Sequence, residues 1–187
     1  MRLTIVAAVL AAAATTACGS SAPAAQQTQA TDPPSSASTP ASGTSDKQQP
    51  AVKAELTMQG KPGLGLLTAT NQGSAPITFQ GWPKLAFTNA ANEPAAIPVE
   101  QKLVPGEGPS ITLQPGQTAF AGVLFDMDDS NSFAINEMTA ELPGMVPAKV
   151  TFIGTDGQPI ADMSKLKVSE AKVGTMQPAA QGVTVFD

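Results

Sequence analysis

The chain has 187 residues, of which 13% are charged, a formal net charge of −5 and no His. Its lysines are scattered and form no basic run, which excludes nucleic-acid binding by counterion displacement. Without His the commonest acid, base and metal ligand near neutral pH is missing, and with Cys18 as the single Cys no intrachain disulfide or thiolate metal site can form.

Residues 1–17 read as a signal peptide. Met1 and Arg2 give a short positive start, and residues 3–14 are an apolar run too short to span a bilayer comfortably but suited to a signal h-region. The run ends in Thr15-Thr16-Ala17-Cys18. This segment resembles a bacterial lipoprotein signal, in which a small residue precedes the Cys that takes diacylglycerol; such signals usually carry Leu where Thr15 stands. Ala17 and Thr15 also fit ordinary signal peptidase, and either cleavage leaves Cys18 first in the mature chain. A free exposed thiol outside the cell invites oxidation and disulfide exchange, so a lipidated Cys18 is the expectation. Its acyl chains, at about 0.8 kcal/mol per buried CH₂, would anchor the protein to the cell membrane on its extracytoplasmic face, within the envelope.

Residues 18–51 read as the lipidated Cys followed by a disordered tether rich in Ala, Ser, Thr, Pro and Gln. Between residues 19 and 50 there is no Val, Ile, Leu, Phe or Met, so the segment cannot bury enough apolar area to offset the entropy of ordering. A flexible coil of this length spans roughly 30 Å, and at most ~100 Å as extended polyproline.

From residue 52 to 187 the pattern changes to short strands, the expectation being one all-β domain. Ala54, Leu56 and Met58 alternate with polar residues, and strands are predicted at 64–70, 77–79, 84–88, 110–113, 118–125, 138–142, 149–153 and 183–186. Turn chemistry separates them. Pro115-Gly116 suits the centre of a type II turn, and Asp156-Gly157 suits a hairpin from 149–153 to Ile160. A short helical turn is expected at 163–167. Many short strands so spaced predict a β-sandwich.

The succession Leu66-Leu67-Thr68-Ala69-Thr70-Asn71, Gly81-Trp82-Pro83, Leu85 and Leu113-Gln114-Pro115-Gly116-Gln117-Thr118-Ala119 resembles the actinobacterial secreted domain of unknown function 4232. That family shows a strand ending in Asn, a Gly-aromatic-Pro turn and a Leu-x-Pro-Gly hairpin, mostly behind lipoprotein signals and Ala/Ser/Thr/Pro linkers. The resemblance implies an immunoglobulin-like β-sandwich and no established activity. Many members carry a Cys before the Gly-aromatic-Pro turn and another after the Leu-x-Pro-Gly strand; this chain has neither.

Few residues invite a chemical reading. Trp82 could be an exposed anchor for a glycan or an envelope protein, but with only seven Phe and one Trp to fill a core it is expected to pack one end of the sandwich. In Asp126-Met127-Asp128-Asp129-Ser130-Asn131-Ser132, oxygen ligands at Asp126, Asp128 and Ser130, with Glu137 twelfth from Asp126, follow calcium-loop spacing. Asn131 replaces the loop Gly and no helix period flanks the run, so a solvated loop is expected. Met127, Met138, Met145, Met163 and Met176 would favour Cu(I), yet without His or thiolate such a site is weak and Met more often fills core gaps. Ser164-Lys165 lacks the motif of a Ser/Lys dyad. The expectation is therefore a surface-anchored, non-catalytic module without cofactor, its partners being the membrane and an envelope protein or glycan. The rivals are a calcium- or copper-binding module and a cell-envelope hydrolase.

Overall fold

A computed structural model describes residues 51–127 and 131–186. The signal, Cys18, the tether at 19–50, Asp128 and Ser130 lie outside the described residues. Twelve strands follow in order: β1 (Val52–Met58), β2 (Leu64–Asn71), β3 (Ile77–Phe79), β4 (Lys84–Asn89), β5 (Pro94–Ala95), β6 (Val99–Gln101), β7 (Ile111–Leu113), β8 (Thr118–Asp126), β9 (Phe133–Glu141), β10 (Ala148–Ile153), β11 (Lys167–Val168) and β12 (Glu170–Val173). One 3₁₀ turn, Met163–Lys165, lies where a helical turn is expected. The domain is all-β.

Alternation drives the long strands. Along β2, Gly65, Leu67, Ala69 and Asn71 point inward and their neighbours outward. A single sheet runs β5-β4-β9-β10-β1-β2-β8-β12-β6, with β11 added to β9, and β3 pairs β7 in a separate ribbon. In a flat sheet β4 and β8, five places apart, would stand about 24 Å from each other. Instead the Phe87 ring on β4 meets the Phe125 ring on β8 edge-on, centroids 6.2 Å apart. Phe125 also stacks on Phe152 of β10 at 6.2 Å. The sheet is therefore curled, with Leu56, Leu67, Val123, Ile135 and Met138 in the core it encloses. Its two edge strands, β5 and β6, are two and three residues long, which limits pairing with other chains.

Strand directions define two ends. β1, β4, β8 and β10 start at the near end, where the chain enters at Val52, while β2, β6, β9 and β12 finish there. The far end carries Met58, the end of β8, the end of β10 and the 3₁₀ turn. Asn71, fully buried at the near end, explains why β2 stops in Asn. Its Nδ2 donates to the carbonyls of Ala75 (2.9 Å) and Leu113 (3.0 Å), and its Oδ1 accepts from the Gly73 N–H (2.9 Å).

The turns follow their sequence. Gly116 has φ +81° and the Gln117 N–H donates to the Gln114 carbonyl, as a type II turn at Pro115-Gly116 requires. Gly157 has φ +78°, and the Ile160 N–H returns to the Phe152 carbonyl at 2.8 Å, so the chain turns back as expected, but through an isolated Ile153–Pro159 bridge with no second strand. Residues 183–186 correct the sequence reading: they form a turn and an extended tail, not a strand. Gly182, at φ +74°, turns the chain, and Val183 and Phe186 drop onto β8. A Cβ on Gly122 would sit 1.9 Å from the Val183 carbonyl oxygen, so only glycine lets the tail lie this close.

Candidate functional site

The most constructed recess of the described domain lies at the near end, around Gly81-Trp82-Pro83. Gly81, at φ +98°, swings the chain from β3 towards β4, and its carbonyl accepts the Met176 N–H at 2.9 Å. Pro83 is fully buried. Trp82 is half-buried, packed against the core, and its Nε1–H donates to the Lys102 carbonyl at 2.8 Å. The two sequence readings of Trp82 are thus divided between its edges: part of the ring packs, as expected for a core plug, and part lines a groove.

The loop that follows β6 forms the opposite wall, and side chains from elsewhere hold its carbonyls one after another. Thr175, itself fully buried, donates its hydroxyl to the carbonyls of Val104 (3.1 Å) and Gly106 (2.8 Å). Gln177 Nε2 reaches the Glu107 carbonyl at 3.4 Å, and Gln80 Nε2 the Gly108 carbonyl at 3.0 Å. The Lys102 N–H donates to the Val173 carbonyl at 2.8 Å. These four side-chain bonds to carbonyls and the Lys102 backbone bond fix a segment that has no strand partner, and a buried carbonyl left without a donor is costly. Between Trp82 and this loop runs a groove of about 480 Å³, lined by Gln80, Trp82, Leu103, Glu107 and Pro143. Leu103 is 60% exposed at its rim.

The far end has smaller recesses of about 250 Å³. One lies between Pro62, Leu124, Met127 and Lys172, the other between Met58, Ile160, Met163 and Leu166.

The acidic residues are not gathered. Asp126 closes β8, opposite Glu170, and its carbonyl accepts both the N–H (2.9 Å) and the hydroxyl (3.1 Å) of Ser169. Glu137 sits within β9, opposite Thr88, and its carboxylate pairs with Lys149 Nζ at 2.6 Å. A calcium loop would place its twelfth residue on a helix; here that residue is on a strand and already bears a cation. Among the described residues no group of three or more acidic side chains could hold a metal ion. Met138 and Met176 are fully buried in the core, Met145 and Met163 are half-buried, and Met127 is exposed.

Ser164 lies inside the 3₁₀ turn and is bound by its cap, Asp162. Its hydroxyl donates to Asp162 Oδ1 at 2.5 Å and its N–H donates to the same oxygen at 3.1 Å. Both bonds hold the Asp162 carboxyl below the ordinary aspartate value. The hydroxyl is therefore committed to starting the 3₁₀ turn rather than to Lys165.

Sequence reasoning singled out Trp82 but missed Gln80, Leu103, Glu107, Pro143 and Thr175. Gln80 adjoins the Gly-Trp-Pro tripeptide and could have been included. The run Val104-Pro105-Gly106-Glu107-Gly108-Pro109 is legible as a loop, but its docking depends on residues about seventy positions away.

The model of the family described as Domain of unknown function (DUF4232) matches residues 48–177. No curated protein and no solved structure matches the chain.

Proposed function

We propose that this chain, which belongs to the DUF4232 family, is a lipid-anchored, non-catalytic binding module of the cell envelope. Its ligand site is the Trp82 groove. The observation that carries this reading is the pinning of both groove walls: the indole by the Lys102 carbonyl, the facing loop by Thr175, Gln177 and Gln80. A recess whose walls are ordered beforehand spends less free energy on ordering when a ligand arrives. The curl that brings Phe87 onto Phe125 supports reading the domain as an immunoglobulin-like β-sandwich, a scaffold that offers binding loops at its ends.

The non-catalytic reading is supported by the residues themselves. The chain has no His, the Ser164 hydroxyl serves Asp162, and Glu137 is neutralised by Lys149. Anchoring rests on the sequence ending at Ala17-Cys18. Cys18→Ser should move the mature protein from the membrane fraction to the medium with its fold unchanged; a variant that still sediments with membranes refutes the anchor. For the site, a photo-crosslinking amino acid at Leu103 should capture an envelope component in the native cell, whereas the same group at Lys61, exposed at the far end, should not. Equal capture at both positions refutes the groove as the site.

A further inference from the structure

We infer that the Trp82 groove takes a neutral, hydroxyl-rich ligand, a saccharide that stacks one ring face on the indole. This rests on the groove being the ligand site and adds the chemistry of what it takes. The side-chain donors and acceptors around the groove are few. Trp82 Nε1–H is spent on the Lys102 carbonyl and Gln80 Nε2 on the Gly108 carbonyl. Because a carbonyl can only accept, the second contact fixes the orientation of the Gln80 amide. The polar side-chain atoms left over are the Gln80 Oε1 and the Glu107 carboxylate, which take no hydrogen bond from any described residue. Both are acceptors. No lysine lines the groove, and the nearby Lys102 Nζ is held by Glu100 at 2.6 Å.

The side chains of this groove offer an anionic ligand no cation, and the Glu107 carboxylate repels it. The groove suits a ligand that brings several donors of its own together with an apolar face. A sugar ring does both: its hydroxyls donate to Gln80 Oε1 and Glu107, while its C–H face covers the indole and the Leu103 and Pro143 side chains. A peptide strand brings as many acceptors as donors and would leave its carbonyls without side-chain partners here. A lone ammonium would use Glu107 and the ring face but leave most of a groove of about 480 Å³ empty. That volume falls in the range of pockets that hold ligands of several rings.

Trp82 is the only tryptophan, so its fluorescence reports on the groove alone. The full chain carrying Cys18→Ser, titrated with soluble neutral oligosaccharides (hexose, pentose and N-acetylhexosamine oligomers in turn), should show a saturable change with at least one of them. Binding should persist as salt is raised. Glu107→Ala, a change at an exposed position, should weaken it about tenfold or more, the scale of one hydrogen bond to a charged acceptor. Trp82→Ala should abolish it by calorimetry, and Trp82→Phe, which keeps a stacking face, should retain part of it.

Three outcomes overturn the inference: no response to any neutral oligosaccharide, a response unchanged by Glu107→Ala, or binding only of a polyamine and lost in salt. If oligosaccharides fail while the Leu103 crosslinker still captures an envelope protein, the binding module stands and its glycan chemistry falls. If both fail, the groove is not the site.

Discussion

The near and far ends of this domain are built from different forces. At the near end, directed hydrogen bonds do the holding: Asn71 makes three, Thr175 two, and Trp82, Gln80 and Gln177 one each to loop carbonyls. At the far end, Met58, Ile160, Met163 and Leu166 meet through flexible apolar side chains, and the 3₁₀ turn beside them buries no residue of its own. Hydrogen bonds fix angles as well as distances, whereas methionine contacts tolerate rearrangement. A groove that must keep its shape is better made by the first method, and the larger, pinned groove is found where that method is used.

The comparison breaks most visibly at Asn71. Asn71→Ala removes three bonds from a fully buried site and leaves two carbonyls to find partners, while the Gly73 N–H keeps its longer bond to the Ala51 carbonyl (3.2 Å). A cost of about 3–5 kcal/mol is therefore expected by denaturant unfolding. A loss below about 1 kcal/mol would mean that water replaces the side chain readily. Next in size is Trp82→Ala. A half-buried ring loses less than a fully buried one, and about 2–4 kcal/mol is expected. Hydrogen exchange should rise in residues 102–110 and stay unchanged near Met163. Trp82→Phe, which mainly strands the Lys102 carbonyl, should cost about 1–2 kcal/mol.

The far end should respond less. Met163→Ala, at a half-buried position, is expected to cost about 1 kcal/mol with no change at the groove; coupling between the two would erase the distinction between the ends. Lys149→Ala breaks the pair with Glu137 on the exposed sheet surface and should change stability by less than ~1 kcal/mol. Smallest of all is calcium: titration into the ~millimolar range should not raise the melting temperature. A rise abolished by Asp126→Ala would give the far end a function instead.

The same contrast governs what could be read from the sequence. β1, β2, β4 and β10 alternate because one side of each faces a continuous core, and β8 does so except at Gly122, which the C-terminal residues cover. The glycine-bearing turns carry their own φ requirement. β9 was legible only in its second half. The sheet register shifts where Thr88 and Asn89 meet Glu137 and Ile135, so the inward positions Ile135 and Met138 lie three apart and period-two reading fails across them. β12 is shorter still, and Glu170-Ala171-Lys172-Val173 becomes a strand because β8 and β6 flank it. Val183-Thr184-Val185-Phe186 shows the reverse error. It alternates like a strand, yet the bare backbone of Gly122 offers a surface on which Val183 packs without a ladder. For the groove, the tripeptide centred on Trp82 was visible, but the wall opposite it is assembled from positions scattered along the chain.

Strand β1 is paired with β2 on one side and, in parallel, with β10 on the other, Leu56 facing Phe152. A chain made from its N-terminus therefore exposes one edge of its first strand until the tenth has been synthesised. Gly122 stays uncovered longer, until Val183 emerges. The core can close only after residues as late as Val183 have left the ribosome. Until then one edge of β1 and the backbone of Gly122 stay open to other contacts.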